Sequence, residues 1–329
     1  MPNDTSLIPH DPVTTIPAAA RARAGLNSAF AGPAPILIAA VLWGTTGTTS
    51  SLAPSAAPPA AIGCAGLVLG GLLLFLTSPG ARPLPAACTR AERGLLAMGA
   101  IAVAGYPVSF YPAVHRIGVA VATVIALGSA PVFTGLLAWI IDKSRPNGRW
   151  AAATTAAAVG CVLLALGPGH GHGHGHGHGT SVDAAGIAMA ACAGLSYAAY
   201  SFIGARLVGR SHASASVFGV MFGAAALLVA PLVLGSDPRW LATVRGSLVT
   251  LHLAVFTVYV AYRLFGHGLR HTTAATATTL TLAEPAVAAV LGVTVLSERL
   301  PAVSWVGLAI LGAGLAILTV RSAEKTRKR

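Results

Sequence analysis

Glu284 is an acidic residue set about halfway along an apolar stretch, residues 272–296. A carboxyl group at that depth of a membrane helix costs roughly 3 kcal/mol, so it is kept where it faces a cavity or a partner. Pro285 follows it, and a residue without an N–H frees a backbone carbonyl one turn earlier, near Thr281. Such a spot suits a cation, a proton or an amine. The structural alternative is a protonated carboxyl that hydrogen-bonds a neighbouring helix and holds the proline break. Trp43, Thr46, Gly47 and Ser50 are spaced i, i+3, i+4, i+7, which puts them on one helix face. Tyr197, Tyr200, Ser201 and Gly204 repeat that spacing further along. Two such stripes facing each other would offer ring faces and hydroxyls to a small molecule; alternatively, they are helix-packing faces of small residues with interfacial aromatics. Tyr106 with Ser109, and Tyr259 with Tyr262, are secondary candidates. The binding set read from these patterns is Trp43, Thr46, Ser50, Tyr106, Tyr197, Tyr200, Ser201, Tyr259 and Glu284. Arg263 reads as a cation snorkelling from a helix end, and His252 as an imidazole satisfied by a neighbouring helix.

A different chemistry stands in the middle of the chain. His170, His172, His174, His176 and His178 alternate with glycine. Neutral imidazole is a good ligand for Zn, Cu and Ni, and a glycine-spaced chain is supple enough to gather two or three rings around one ion. Binding a metal is a different matter from carrying one across a membrane. Transport would need histidines and carboxylates inside the apolar stretches, where Glu284 and His252 stand nearly alone. The tract therefore reads as a decoration, with any Zn, Ni or Cu there adventitious and no cofactor required.

The elements that must position these residues are written in the composition. Of 329 residues 55% are hydrophobic and 9% charged, far below the roughly 25% charge of a soluble domain. Ala, Gly, Leu and Val dominate, as in helices that pack closely within a bilayer. About ten apolar segments, each near the ~20 residues that cross ~30 Å of hydrocarbon, fall at 35–54, 58–77, 94–114, 118–141, 149–167, 184–206, 213–234, 246–265, 272–296 and 302–321. The segments 118–141 and 272–296 are long enough to be tilted or broken. Residues 1–33 are polar and proline-rich and read as a disordered tail without the pattern of a signal peptide.

The net charge of +12 divides by side rather than marking a nucleic-acid surface. With both termini cytoplasmic, sixteen Lys and Arg fall inside and four outside, with Arg263 within the eighth segment. That is the positive-inside bias. It makes the protein a multi-pass protein of the cell membrane and puts the Gly-His tract outside. Cys64, Cys88, Cys161 and Cys192 have no paired spacing and read as small packing residues.

The two halves echo each other. Pro131 and Pro285 stand 154 positions apart, and Arg145 and Arg299 keep that offset. The same offset carries Trp43 onto Tyr197, Thr46 onto Tyr200 and Gly47 onto Ser201. Five segments per half force the second half to enter the membrane upside down. The expected architecture is an all-α membrane protein of about ten transmembrane helices in two inverted five-helix repeats, an arrangement that in transporters puts the site at the midplane between the halves.

"LTLAEPAVAAVLGVTVLSERLPAVSWVGLAILGAGLAIL", 280–318, resembles the end of an EamA-type repeat of the drug/metabolite transporter superfamily. The shared pattern is the Glu-Pro pair, a small-residue run, a Ser-Glu-Arg-Leu turn and Trp-x-Gly. "ALGSAPVFTGLLAWIIDKSRPNGRW", 126–150, is similar to the end of the first repeat, and "VLWGTTG" resembles the family's opening helix. Ser144 departs from the glutamate often found at its place, and the second segment lacks the arginine many relatives carry. The resemblance implies repeats at 34–167 and 184–321; the residues around them read as a disordered cytoplasmic tail at 1–33, a Gly-His extracytoplasmic loop at 168–183, which is no part of the family pattern, and a basic cytoplasmic tail at 322–329. It also implies a secondary transporter, an exporter of small organic metabolites or drugs working by alternating access. A metal-handling membrane protein is the alternative. An enzyme is not expected, since no HExxH, GxSxG or paired intramembrane aspartates occur; neither is ATP use, since no phosphate loop occurs. The expected partners are a small-molecule substrate and the lipid bilayer, with room for a homodimer and no role for nucleic acid.

Overall fold

The structure, a computed structural model, describes residues 32–145, 147–165, 183–295 and 300–327. The first half gives α1 (Pro33–Ser51), α2 (Pro59–Leu76), a short α3 (Leu84–Ala87), α4 (Arg90–Ile117), α5 (Val119–Asp142) and α6 (Gly148–Ala165). The second gives α7 (Ala184–Gly209), α8 (Ser214–Leu234), α9 (Val244–His252), a π-helical stretch (Leu253–Val260), α10 (Ala261–Gly268), α11 (Ala274–Leu280), α12 (Ala283–Val295) and α13 (Ala302–Arg327). No strand occurs among the described residues. The histidines 170–178 and most of the Ser-Glu-Arg-Leu turn lie outside them.

Seven of the described helices are long and apolar enough to cross a membrane. They begin at Arg90, Val121, Ala184, Ser214, Val244, Ala274 and Ala302, against the ten segments expected. The difference has a physical cause. Ala60–Leu76 and Gly148–Leu164 are apolar but shorter, and the second half of α1, "GTTGTTSS", dilutes its hydropathy with the very residues of the candidate stripe. Outward-facing Leu227, Leu232 and Leu234 on α8, with Trp139 on α5 and Trp305 on α13, present the apolar surface that a bilayer covers.

Helices pair α6 with α13, α2 with α8, α4 and α5 with α7, and α1 with α10 and α12. The α6–α13 contact is made by small residues. A Cβ on Gly160 would stand 2.7 Å from the Gly307 carbonyl oxygen, so only glycine lets the two backbones approach this closely. Aromatic and aliphatic side chains fill the centre: Phe218, Phe222, Phe265, Met221 and Leu207 are fully buried.

Polar bonds fix the helix ends. Thr89 and Glu92 form a capping box at the start of α4, with Glu92 Oε2 accepting the Thr89 N–H at 3.0 Å. The other Glu92 oxygen meets Arg210 at 3.3 Å and His212 at 3.4 Å, at the far end of α7. Asp183 caps α7, accepting the Gly186 N–H at 3.0 Å, and pairs with Arg116 at the end of α4 at 3.1 Å. At its other end α7 is tied to α5 by Arg206 and Asp142.

Two segments depart from plain helix. The eighth runs α9–π–α10, and its π stretch shows in the sequence by no proline or glycine. The ninth is broken at Thr281–Leu282, as its length allowed. The break also corrects one expectation. The carbonyl near Thr281 is not left free beside Pro285, because the N–H of Glu284 donates to it at 3.0 Å.

Candidate functional site

A cavity of about 480 Å³ lies among α1, α4, α5, α7, α10 and α12. It is walled on α1 by Trp43, Thr46, Gly47, Ser50 and Ser51, so it extends from the middle of that helix to its last turn. Opposite stand Tyr197 and Tyr200 of α7, with Tyr262 of α10. Tyr106, Phe110 and Tyr111 of α4 close one side, and Glu284 with Pro285 opens α12 onto it. A side chamber of about 130 Å³ shares Trp43, Tyr200 and Tyr262 and continues toward Gly63 and Gly66 on α2.

The aromatic wall is held by named bonds. Trp43 Nε1 donates to the Thr257 carbonyl at 2.7 Å, tying α1 to the π stretch. Tyr197 Oη donates to Thr281 Oγ1 at 2.8 Å, which ties α7 to the break in the ninth segment. The hydroxyls of Tyr200 and Tyr262 share a hydrogen bond at 2.6 Å. With their hydroxyls so engaged, these residues offer their rings. Trp43 and Tyr262 lie 5.0 Å apart between centroids, Trp43 and Tyr197 6.3 Å edge to face, and Tyr106 stacks on Phe110 at 5.4 Å. These separations are those of interacting aromatic pairs. The Glu284 carboxyl, by contrast, has no hydrogen-bond partner among the described residues and lines the cavity.

Most of the expected set is brought together: Trp43, Thr46, Ser50, Tyr106, Tyr197, Tyr200 and Glu284 all line this one space. Two members do not. Ser201 is fully buried on another face of α7, and its hydroxyl has no hydrogen-bond partner among the described residues. Tyr259 lies away from the lining and carries the Arg263 guanidinium over its ring at 4.9 Å. Arg263 also donates to the carbonyl and hydroxyl of Thr77 at 3.0 Å, at the end of α2. Tyr262 takes the place that Tyr259 was expected to fill. In an α-helix the two would share a face, but the wider π turn ending at Val260 separates them. His252 is satisfied by Thr45 Oγ1 at 2.9 Å, as expected.

Phe110, Tyr111 and Thr123 were not among the expected residues, although the i, i+4 spacing of Tyr106 and Phe110 on one helix carried a signal. The group Cys88, Glu92 and His212 brings His, Cys and carboxylate atoms close enough to share an ion. It lies at the helix ends, and its carboxylate is already bonded to Thr89, Arg210 and His212.

The chain is similar to known proteins along most of its length. The model of the EamA-like transporter family matches it twice, over residues 31–166 and 184–320. It is 37% identical over 284 residues to "Uncharacterized transporter YwfM" of Bacillus subtilis (strain 168), covering 86% of this chain and 92% of that protein. A solved structure, titled only "Crystal structure of protein", superposes with a TM-score of 0.68 at 18% identity, over 91% of this chain and 98% of the other, and shares the fold.

Proposed function

The chain belongs to the EamA-like transporter family, and from that premise we propose that it is a secondary carrier that exports small organic molecules by exposing the central cavity to each side of the membrane in turn. The observation that carries this reading is the cavity itself. It is a space of small-molecule size that joins the face of α1 to that of α7, the first helices of the two matched segments. The helix pairings support two inverted repeats. Exchanging the halves sends α6–α13 and α2–α8 onto themselves, and turns α4–α7 into α10–α1 and α5–α7 into α12–α1. On this reading ten helices cross the bilayer, α1, α2 and α6 included, with both termini cytoplasmic on the basic side. Alternation would rock one half against the other around Glu284. The ion pairs at the two ends of α7, Arg116–Asp183 and Asp142–Arg206, would then be formed and released in turn.

Energy would come from an ion gradient or from the substrate's own. Glu284 is the residue at which an ion can couple, being a carboxyl on the cavity wall without a hydrogen-bond partner among the described residues. Glu284→Gln keeps size and hydrogen bonding but cannot ionise. In proteoliposomes the variant is expected to insert and fold normally and to lose most of its concentrative transport. Wild-type accumulation ratios would overturn the role of Glu284. The Gly-His tract is a separate matter: replacing its five histidines with serine is expected to leave transport within a few-fold and to abolish metal retention by the loop. Loss of transport would make the tract part of the carrier.

A further inference from the structure

We infer that the cavity selects organic cations: small molecules with a protonated or quaternary nitrogen on an apolar, preferably aromatic, body. This rests on the carrier reading above and adds the charge of the substrate to it. Three observations converge.

Among the described residues the lining contains one carboxyl, Glu284, and no lysine, arginine or histidine, and the side chamber adds none. An anionic substrate would find no counter-charge in the cavity and would face the carboxylate directly. Nor does the start of α12 supply a ready anion site, as many helix N-termini do. The Glu284 N–H is spent on the Thr281 carbonyl, Pro285 has no N–H, and the carboxylate sits in that first turn.

The carboxylate itself has no hydrogen bond from the protein among the described residues. Among the described residues, by contrast, Glu92 is engaged by Thr89, Arg210 and His212, Asp142 by Arg206, and Asp183 by Arg116 and the Gly186 amide. A half-buried carboxyl left open toward a cavity is the arrangement that a bound cation completes.

The rest of the wall suits the same ligand. Trp43, Tyr106, Tyr197 and Tyr262 present aromatic rings around the space in front of Glu284, with hydroxyls turned into protein bonds for Tyr197 and Tyr262. Ring faces are negative and attract an organic cation, most strongly where water is excluded. A metal ion is a poor match, since the wall offers it one carboxylate and little else that binds strongly. A bulky ammonium needs one counter-charge and several ring faces, and both are present.

The test uses the purified full chain in detergent and three probes of one shape: phenyltrimethylammonium, its neutral isostere tert-butylbenzene, and the anion benzenesulfonate. Occupancy is read by calorimetry and by protection of Ser50→Cys, at the cavity wall, from a maleimide. The cation is expected to bind about tenfold or more tighter than either of the others, the ratio that one desolvated ion pair with ring contacts readily supplies. Glu284→Gln should lose that advantage while leaving tert-butylbenzene binding unchanged, and Glu284→Asp should restore part of it. If the Gln variant fails to fold, the order of the three probes on the wild-type protein still decides. Equal affinities, or a preference for the sulfonate, would overturn the cation assignment and leave the carrier reading standing. Failure of every probe to protect the cysteine would overturn the cavity as a binding site, and both readings with it.

Discussion

α1 and α7 carry the same spacing of aromatic and small residues, yet their stripes meet different neighbours. On α1, Trp43, Thr46, Gly47 and Ser50 all line the cavity, and the space beside Gly47 is open for 4 Å. On α7 only Tyr197 and Tyr200 do so; Ser201 is buried, and Gly204 receives the edge of the Phe218 ring. Spacing fixes which residues share a helix face. What stands against that face is decided by the partner, and α8 brings Phe218 where α1 meets empty space. Quasi-symmetric halves thus place equivalent residues in one region and give them unequal work: α1 shapes the cavity, while half of the α7 stripe holds the core.

The largest expected effect breaks this asymmetry directly. A Cβ at Gly204 would sit 2.7 Å from Phe218, a ring only 1% exposed and without room to move. Gly204→Ala should therefore lower the unfolding temperature in detergent, with an overpacking cost of about 1–3 kcal/mol. Gly47→Ala should leave it unchanged and narrow the cavity instead. Equal losses at the two positions would mean that the two stripes are used alike.

A smaller effect is expected from Trp43→Phe. The ring is largely kept, but the Thr257 carbonyl loses its donor at 2.7 Å. An abandoned buried acceptor costs about 1–3 kcal/mol, with the lower end expected here because the carbonyl can still bond within its own helix. Chemical unfolding of the variant and the wild type checks it. Tyr259→Phe serves as the control outside the cavity; a loss there as large as at Trp43 would place the second ring in the same machinery.

The smallest effect sharpens the contrast at the helix starts. Asp183 caps α7 and is held below the usual carboxylate range, first by the Gly186 N–H and then by Arg116, whereas α1 begins at Gly32 without a side-chain cap. A folded-state pKa below the unfolded one gives stability that is present above about pH 3.9 and is lost as pH falls through the folded value. Asp183→Asn keeps a capping oxygen and removes the charge. The wild type should lead the variant near neutrality and lose that lead in acid, as thermal scans across pH would show; a constant gap would assign the effect to packing.

Much of this was legible in the residues. Composition and segment lengths gave an all-helical membrane protein, and the i, i+3, i+4, i+7 stripes with the Glu-Pro pair led to most of one cavity wall. What escaped depended on geometry beyond the local period. The π stretch is invisible to patterns based on 3.6 residues per turn, which point to Tyr259 where Tyr262 faces the cavity. The Thr281 carbonyl looked free because Pro285 lacks a donor, but a neighbouring amide at Glu284 reaches it once the helix breaks. Ser201 fits the stripe by number and misses the cavity by the packing of α7.

The π stretch from Leu253 to Val260 can also be read as a frame shift written into a helix. It holds one residue more than the α ladder would use, so α9 and α10 are set in different rotational frames. Removing one residue there would let the ladder close as plain α-helix and turn α9 by about 100° against α10. Tyr262 would keep its place beside Tyr200, while His252 would swing off Thr45 and the Thr257 carbonyl away from Trp43. A single-codon deletion would thus act as a rotation rather than a shortening, separating the two ends of one helix into independently adjustable parts.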